Sequence, residues 1–283
     1  MSFSDRIETC NRHDLSGAKP FRVEGRELGW VKPQIAKELG RFDSVFRVDE
    51  EQVALTEDLD TPARRTEAVD QVVRTLHDEG FLDRWVGEPY RVGRNFAEPP
   101  AFVIERAAVP LLGVIAYGIH VNGYVTTSEG LKMWIGKRAM DRIVSPGKLD
   151  QLVAGGQPAD LTLEQNLIKE CAEEAGLTPE MALQSKPIGA ISYCLDHVHG
   201  VRRDVLFNYD LELPEGLTPV CSDGEMEGFS LMSLDEVAEI VQTSDDFKFN
   251  CSLVVIDFLI RHGHIKPDHP EYMDLVNGLH RST

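Results

Sequence analysis

The sequence lacks any uninterrupted apolar run near the roughly 18 residues a membrane-spanning helix needs. Its opening stretch, MSFSDRIETCNRHDLSGAKP, holds no apolar block of signal-peptide length. The expected location is cytoplasmic, with no membrane partner. Cysteine is sparse: Cys10, Cys171, Cys194, Cys221 and Cys251 are far apart, odd in number and form no C-x-x-C pair. They read as reduced thiols, neither a disulfide frame nor a zinc site. Positive charge is also short, with 29 Lys and Arg against 47 Asp and Glu, a net charge of −18. Such an excess repels phosphate backbones and anionic lipid, so nucleic acid is not an expected partner. There is no P-loop, no G-x-S-x-G elbow and no G-x-G-x-x-G fingerprint. A phosphate-bearing small molecule stays open as a substrate if a metal ion bridges it to the protein.

What is present is a globular composition: 283 residues, 42% apolar, enough for one large core or two modest ones. Residues 1–110 carry 16 basic and 21 acidic groups, so the remaining −13 falls on the second part. In the first part, FRVEGRELGWV (21–31) alternates around Glu24-Gly25 as a hairpin does, and VFRV (45–48) reads as a strand. Pro33 to Leu39 reads as a short helix, and a longer one starts at Thr61-Pro62 and stops at Gly80. Pro99, Pro100 and Pro110 mark the passage to a second texture. There AYGIHVNGYV (116–125) and LKMWIGKR (131–138) form an expected hairpin, and LDQLVAGG (149–156) a further strand leading into a helix. IGAISYCL (188–195) and DVLFNYDLEL (204–213) form another hairpin, and helices follow from Ser233 and from Cys251. The expectation is a small α+β domain over residues 1–112, then an αβα sandwich with a mixed sheet between helices over 113–283.

The helix opening at Thr162 carries Glu170, Glu173 and Glu174, whose i, i+3 and i+4 spacing puts three carboxylates on one face. Such a cluster is self-repelling unless a cation sits among the groups, and its hard oxygens suit Mg²⁺ or Mn²⁺. A solvated acidic helix face is the competing account of these three residues.

Their surroundings are more specific. Residues 155–177, GGQPADLTLEQNLIKECAEEAGL, resemble the Nudix box, G-x5-E-x7-R-E-U-x-E-E-x-G-U with U a bulky apolar residue. Gly155, Glu170, Cys171, Glu173, Glu174, Gly176 and Leu177 occupy seven of the nine defined positions. Two depart from it. Leu161, next to Asp160, stands where the family has its first glutamate, and Lys169 stands where it has arginine, keeping the charge without the forked geometry. Further segments, among them GRELGWVKPQIAKELGRF (25–42), FVIERAAVPLLGV (102–114) and DGEMEGFSLMSLDEV (223–237), look like the Nudix branch related to the domain fused to fungal thiamine pyrophosphokinase, with its extra N-terminal domain.

The resemblance implies a Nudix fold and hydrolysis of a small-molecule diphosphate, thiamine diphosphate or its oxidised or damaged analogues, to the monophosphate. Glu170, Glu173 and Glu174 would hold Mg²⁺ or Mn²⁺, and the backbone at Gly155 and Gly156 would shape the substrate loop. A later glutamate often joins as ligand or base in this family; Glu225 is the first candidate and Glu227 the second, against the reading of either as a solvated loop acid. Catalytic roles therefore fall on Glu173, Glu174 and Glu225. Lys137 and Arg138, at a strand end, are candidate phosphate contacts. His197 and His199 read as a hairpin tip, and Trp134 and Tyr193 as strand aromatics of the core. Other nucleoside or prenyl diphosphates, a catalytically weak binding protein, and a homodimeric assembly are alternatives left open.

Overall fold

A computed structural model describes residues 2–281. The chain opens with helix α1 (Phe3–Cys10), capped reciprocally by Ser2 and Asp5. A hairpin of β1 (Lys19–Val23) and β2 (Arg26–Val31) follows, turning at Glu24 and Gly25 with φ of 51° and 75°. Two positive φ values in succession give the turn whose twist matches paired strands. Next come α2 (Pro33–Leu39), β3 (Phe46–Val48), β4 (Val53–Leu55) and α3 (Pro62–Asp78), the last opened by the Thr61 hydroxyl accepting from the Arg64 N–H. The strands form a sheet in the order β2-β1-β4-β3, with β1 and β4 parallel. The pair β5 (Pro89–Val92) and β6 (Phe102–Glu105) and the short α4 (Val109–Leu112) complete this first core. At its centre Phe21 meets Phe46 and Phe102 with ring centroids 6.5 and 6.2 Å away. Burying each such ring contributes about 1.5–3 kcal/mol, and truncating Phe21 to alanine would remove about 3–5 kcal/mol.

The second domain is built on β7 (Ile115–Thr127), a 13-residue strand, with β8 (Gly130–Arg138), β9 (Leu149–Asp150), β10 (Val153–Gly156), α5 (Leu163–Ala175) and α6 (Pro179–Ala182). Then come β11 (Lys186–His197), β12 (Gly200–Glu212), β13 (Met226–Ser233), α7 (Leu234–Thr243), α8 (Cys251–Arg261) and α9 (Tyr272–Gly278). The mixed seven-stranded sheet runs β11-β12-β7-β8-β13, with β10 added to β7 and β9 to β8. Alternation along the strands splits the sheet into two faces. Ile119 and Val121 join Leu167 and Cys171 of α5, whereas Leu206 and Tyr193 join Val255 and Phe258 of α8. The result is an αβα sandwich, and no helix among the described residues is long and apolar enough to cross a membrane.

Two departures from the sequence reading matter for the site. Residues 3–10, placed by the sequence reading in the first domain, form helix α1, which puts Phe3, Ile7 and Cys10 into the core shared with α8 and α9. Glu227, weighed as a solvated loop acid, instead lies on the edge strand β13, paired antiparallel with β8. The two domains are also closely joined. Arg203 on β12 donates to the Leu28 carbonyl at 3.4 Å, and Lys32 pairs with Asp196 at 2.7 Å. The tip of the β11–β12 hairpin carries His197 and His199, and His199 lies 3.2 Å from Asp83 of the first domain.

Candidate active site

Local chemistry sets the position of α5. Thr162 Oγ1 accepts from the Gln165 N–H and Gln165 Oε1 from the Thr162 N–H, which starts the helix. Gly176, at φ 66°, ends it in the left-handed conformation, where a Cβ would come within 2.7 Å of the Val220 carbonyl oxygen. Leu167, Cys171 and Ala175 bury one side of the helix against the sheet. Glu170 and Glu174 are thereby held against β10, with the half-exposed Glu173 beside them.

Each glutamate has a different environment. Glu174 is 2% exposed, and its Oε2 accepts from the Ala154 N–H at 2.8 Å. Burial, reinforced by the neighbouring charge of Glu170 and more weakly by Glu225, pushes its pKa up to about 8. No cation pairs with it among the described residues. Glu170 is mostly buried, and burial again raises its pKa, partly opposed by Lys169 at 3.0 Å. Glu173 is half-exposed and meets the same Lys169 Nζ at 2.9 Å. Burial works against the charge of Lys169, but its hydrogen bonds to Glu173 and Glu170 outweigh this and raise its pKa. The lysine at the family's arginine position thus spans two of the three carboxylates.

The glycines of the box are places of close approach. A Cβ on Gly155 would collide with the Glu170 carboxyl carbon and come within 2.7 Å of its Cγ. A Cβ on Gly156 would strike the Tyr90 hydroxyl and come within 3.3 Å of Arg106 Cζ. Asn166 Nδ2 donates to the Gly156 carbonyl at 2.8 Å, and the buried Gln157 amide reaches the Leu161 carbonyl at 2.8 Å, closing the loop before α5. Ala159 N–H donates to the Pro89 carbonyl at 2.7 Å, so the first domain rests directly on this loop.

The remaining candidates are scattered. Glu225, in the turn before β13, pairs with Arg142 at 2.6 Å, and its charge is felt at Glu174. Glu227 pairs with Lys137 at 2.9 Å on the edge strand, which commits both to each other. Arg138 departs from its expected role as a phosphate contact. It is 5% exposed and donates to Asp150 at 2.9 Å, because the strand turns that side chain inward over a buried carboxylate. Tyr193 and Trp134 are buried, the former donating to Asp204. Tyr90 and Arg106 of the first domain, which reach the box loop at Gly156, have no sequence spacing that ties them to it.

The donor set suits a hard divalent cation. Three carboxylates lie on one flank, and Glu174 is buried without a countercharge. Their oxygens are not gathered within 4.8 Å of one another, since Lys169 draws two outward and Ala154 holds the third. Ligand-type atoms do converge within 4.8 Å at His120, Asp150 and Cys251, all buried. That cluster is already neutralised: Arg138 at 2.9 Å and Lys248 at 3.2 Å flank Asp150, and Cys251 Sγ donates to it at 2.7 Å. A buried carboxylate so paired has little left to offer a metal ion.

Comparison with known proteins agrees with this geometry. Residues 116–251 match the family described as NUDIX domain, and residues 2–116 match a family described as a domain of unknown function, DUF4743. Nudix hydrolase 24, chloroplastic, of Arabidopsis thaliana is 41% identical over 281 residues, covering 98% of this chain and 77% of that protein. Nudix hydrolase 20, chloroplastic, of the same plant is 40% identical over 289 residues, with the same coverage. An uncharacterized protein of Saccharomyces cerevisiae is 33% identical over 287 residues, covering 91% of this chain and 81% of its own length. With the box helix, its glycines and the mixed sheet in place, the chain belongs to the Nudix hydrolase family and is a Nudix diphosphate hydrolase.

Proposed function

We propose that the enzyme hydrolyses thiamine diphosphate, or its oxidised or damaged analogues, to the monophosphate with Mg²⁺ or Mn²⁺ held by Glu170, Glu173 and Glu174. The observation that carries the metal assignment is Glu174: a buried carboxylate beside Glu170, held by one backbone N–H and lacking a cationic partner. Natural interiors rarely keep such a group without a use. The cation, when bound, supplies charge neutralisation at the diphosphate oxygens and a more acidic water. Lys169 holds Glu170 and Glu173 in place between turnovers. The Ala154 N–H orients Glu174, and Gly155 leaves room for Glu170 to approach the loop backbone. Glu225, fixed through one oxygen by Arg142, keeps its second oxygen for a proton from the attacking water. The thiamine assignment rests on the resemblance of segments along the whole chain to one branch of the family, since box residues recognise metal and phosphate and not the organic group.

A substrate panel tests both levels. Thiamine diphosphate, an oxidised analogue, ADP-ribose, a dinucleoside polyphosphate and a prenyl diphosphate are compared by kcat/KM with Mg²⁺. The expected result is preference for the thiamine-type diphosphates, greatest for the oxidised form. Preference for a nucleoside or prenyl diphosphate would replace the substrate, and no turnover of any would leave a binding protein.

A further inference from the structure

The geometry points to Tyr90 of the first domain as a positioning residue for hydrolysis, one that braces the box loop from the side opposite the glutamates. This rests on the diphosphate hydrolase reading above, in which that loop shapes the substrate site, and it gives the first domain a part in turnover.

The brace begins with a gap in the sheet. Gly156 of β10 and Gly118 of β7 are register partners. Partners on paired strands turn the same way, so two facing glycines leave a notch on one face. Successive residues alternate, which places the notch on the face opposite Gly155, whose own side meets Glu170. Tyr90 fills the Gly156 half: a Cβ there would strike its hydroxyl and come within 3.0 Å of its Cζ. So close an approach requires that position 156 carry no side chain. Leu206 closes the Gly118 half, its Cδ2 lying 3.6 Å from where a Cβ would start.

Tyr90 is itself held firmly. It is 4% exposed in the first core, opposite Ile104 of β6, with the Arg106 guanidinium 5.6 Å from its ring centroid. The Glu105 carboxylate accepts from the N–H groups of Val86, Gly87 and Ala107, fixing the chain that enters β5 and leaves β6. Successive carbonyls of this segment then face opposite ways. That of Glu88 accepts from the Arg106 N–H at 2.9 Å, on the β6 side, and that of Pro89 accepts from the Ala159 N–H at 2.7 Å, on the loop side. The box loop therefore rests on the first domain at two points, Gly156 and Ala159. Its own ties are few: the Gln157 amide takes the Leu161 carbonyl, and Asn166 takes that of Gly156.

The test uses the full chain and the panel diphosphate that wild type turns over fastest, with Mg²⁺ affinity by calorimetry and amide hydrogen exchange over residues 156–161. Gly156→Ala, which drives the hydroxyl out of the notch, should lower kcat about 10²-fold, the cost of misplacing a site by about 1 Å. Its Ala159 amide should exchange faster. Its Mg²⁺ affinity should hold, because Glu170 meets Gly155 on the other face and Glu174 is held at Ala154. Tyr90→Phe withdraws the hydroxyl, so the double variant Gly156→Ala/Tyr90→Phe should recover about tenfold of the loss, as coupled contacts do. A merely structural contact would lower the melting temperature of Gly156→Ala and leave kcat of the folded protein unchanged, and that result would overturn the brace. So would a double variant no faster than Gly156→Ala, or a loss of Mg²⁺ affinity large enough to account for the lost turnover. Should Gly156→Ala fail to fold, Tyr90→Phe decides alone: faster exchange at Ala159 together with lower kcat sustains the brace, and the absence of either change overturns it. If wild type turns over no panel diphosphate, the substrate reading fails, and exchange at Ala159 in the same variants still decides the brace.

Discussion

Two buried carboxylates, Asp150 at the end of β9 and Glu174 on α5, follow contrary rules. Asp150, fully buried at the end of β9, is surrounded by Arg138, Lys248 and the Cys251 thiol. Burial alone would raise its pKa, but Lys248, His120 and Arg138 outweigh this and hold it down at about 2. Glu174, buried to nearly the same degree beneath β10, has one backbone N–H and a carboxylate neighbour, and rises to about 8. Depth is the same and the countercharge is not. The paired acid ties the sheet to the segment entering α8, and the unpaired one has no cation partner among the described residues.

The largest expected effect breaks the first half of this contrast. Asp150→Asn leaves Arg138 and Lys248 buried with no anion, and should destabilise the fold by about 3–5 kcal/mol in denaturant melts. Equal stability of variant and wild type would show that the network is incidental.

The next effect compares the two acids by pH in metal-free protein. For Asp150, whose folded pKa is lowered from 3.8 to about 2, the stabilisation is present above the unfolded value and disappears as pH falls toward 2. For Glu174, whose folded pKa is raised from 4.5 to about 8, folding favours the protonated acid, so stability is greatest below pH 4.5 and declines until about pH 8. Each unit of such a shift corresponds to about 1.4 kcal/mol. Glu174→Gln should therefore flatten the decline between pH 4.5 and 8 in EDTA, keep or raise the melting temperature at pH 8, and lower turnover by about 10²–10⁴-fold. Saturating Mg²⁺ should flatten the same slope in the wild type. An unchanged slope in Glu174→Gln would assign the titration elsewhere.

A smaller effect is expected at Gly155. Its alanine variant places a methyl against the Glu170 carboxyl, which must swing away. A cost of about 1–3 kcal/mol in stability is expected, with weaker Mg²⁺ binding read by calorimetry. Normal metal affinity would show that Glu170 need not approach the loop backbone.

The features legible in the sequence are those whose causes are local. Both ends of α5 follow from a capping pair and a glycine within a few residues, and the glutamate flank follows from helical spacing alone. The hairpin at Glu24-Gly25 is likewise written in its turn. What stayed hidden depends on distant partners. Arg138 turns inward because of Asp150, twelve positions along the chain, and α1 leaves its sequence neighbours for α8 and α9. Strand β13 mixes exposed and half-buried positions because it sits at a sheet edge, so no clean alternation marks it. Tyr90, Arg106 and the Pro89 carbonyl reach the box loop only through the docking of one domain on the other.

The smallest expected effect concerns Leu161, which occupies the family's first glutamate position. Leu161 is half-exposed, and its carbonyl, not its side chain, ties the loop through Gln157. A carboxylate there can stay hydrated, so Leu161→Glu should change stability by less than about 0.5 kcal/mol. Affinity for Mg²⁺ should hold, because the glutamates proposed as its ligands lie on the helix that begins after Thr162. Turnover is the sensitive readout: it should rise if the new carboxylate takes over the ordering now left to the Gln157 amide, and stay level if that amide already suffices. A marked change in metal affinity with stability intact would instead place position 161 among the metal ligands, and the contrast between Glu174 and Asp150 would need a further acid on the unpaired side.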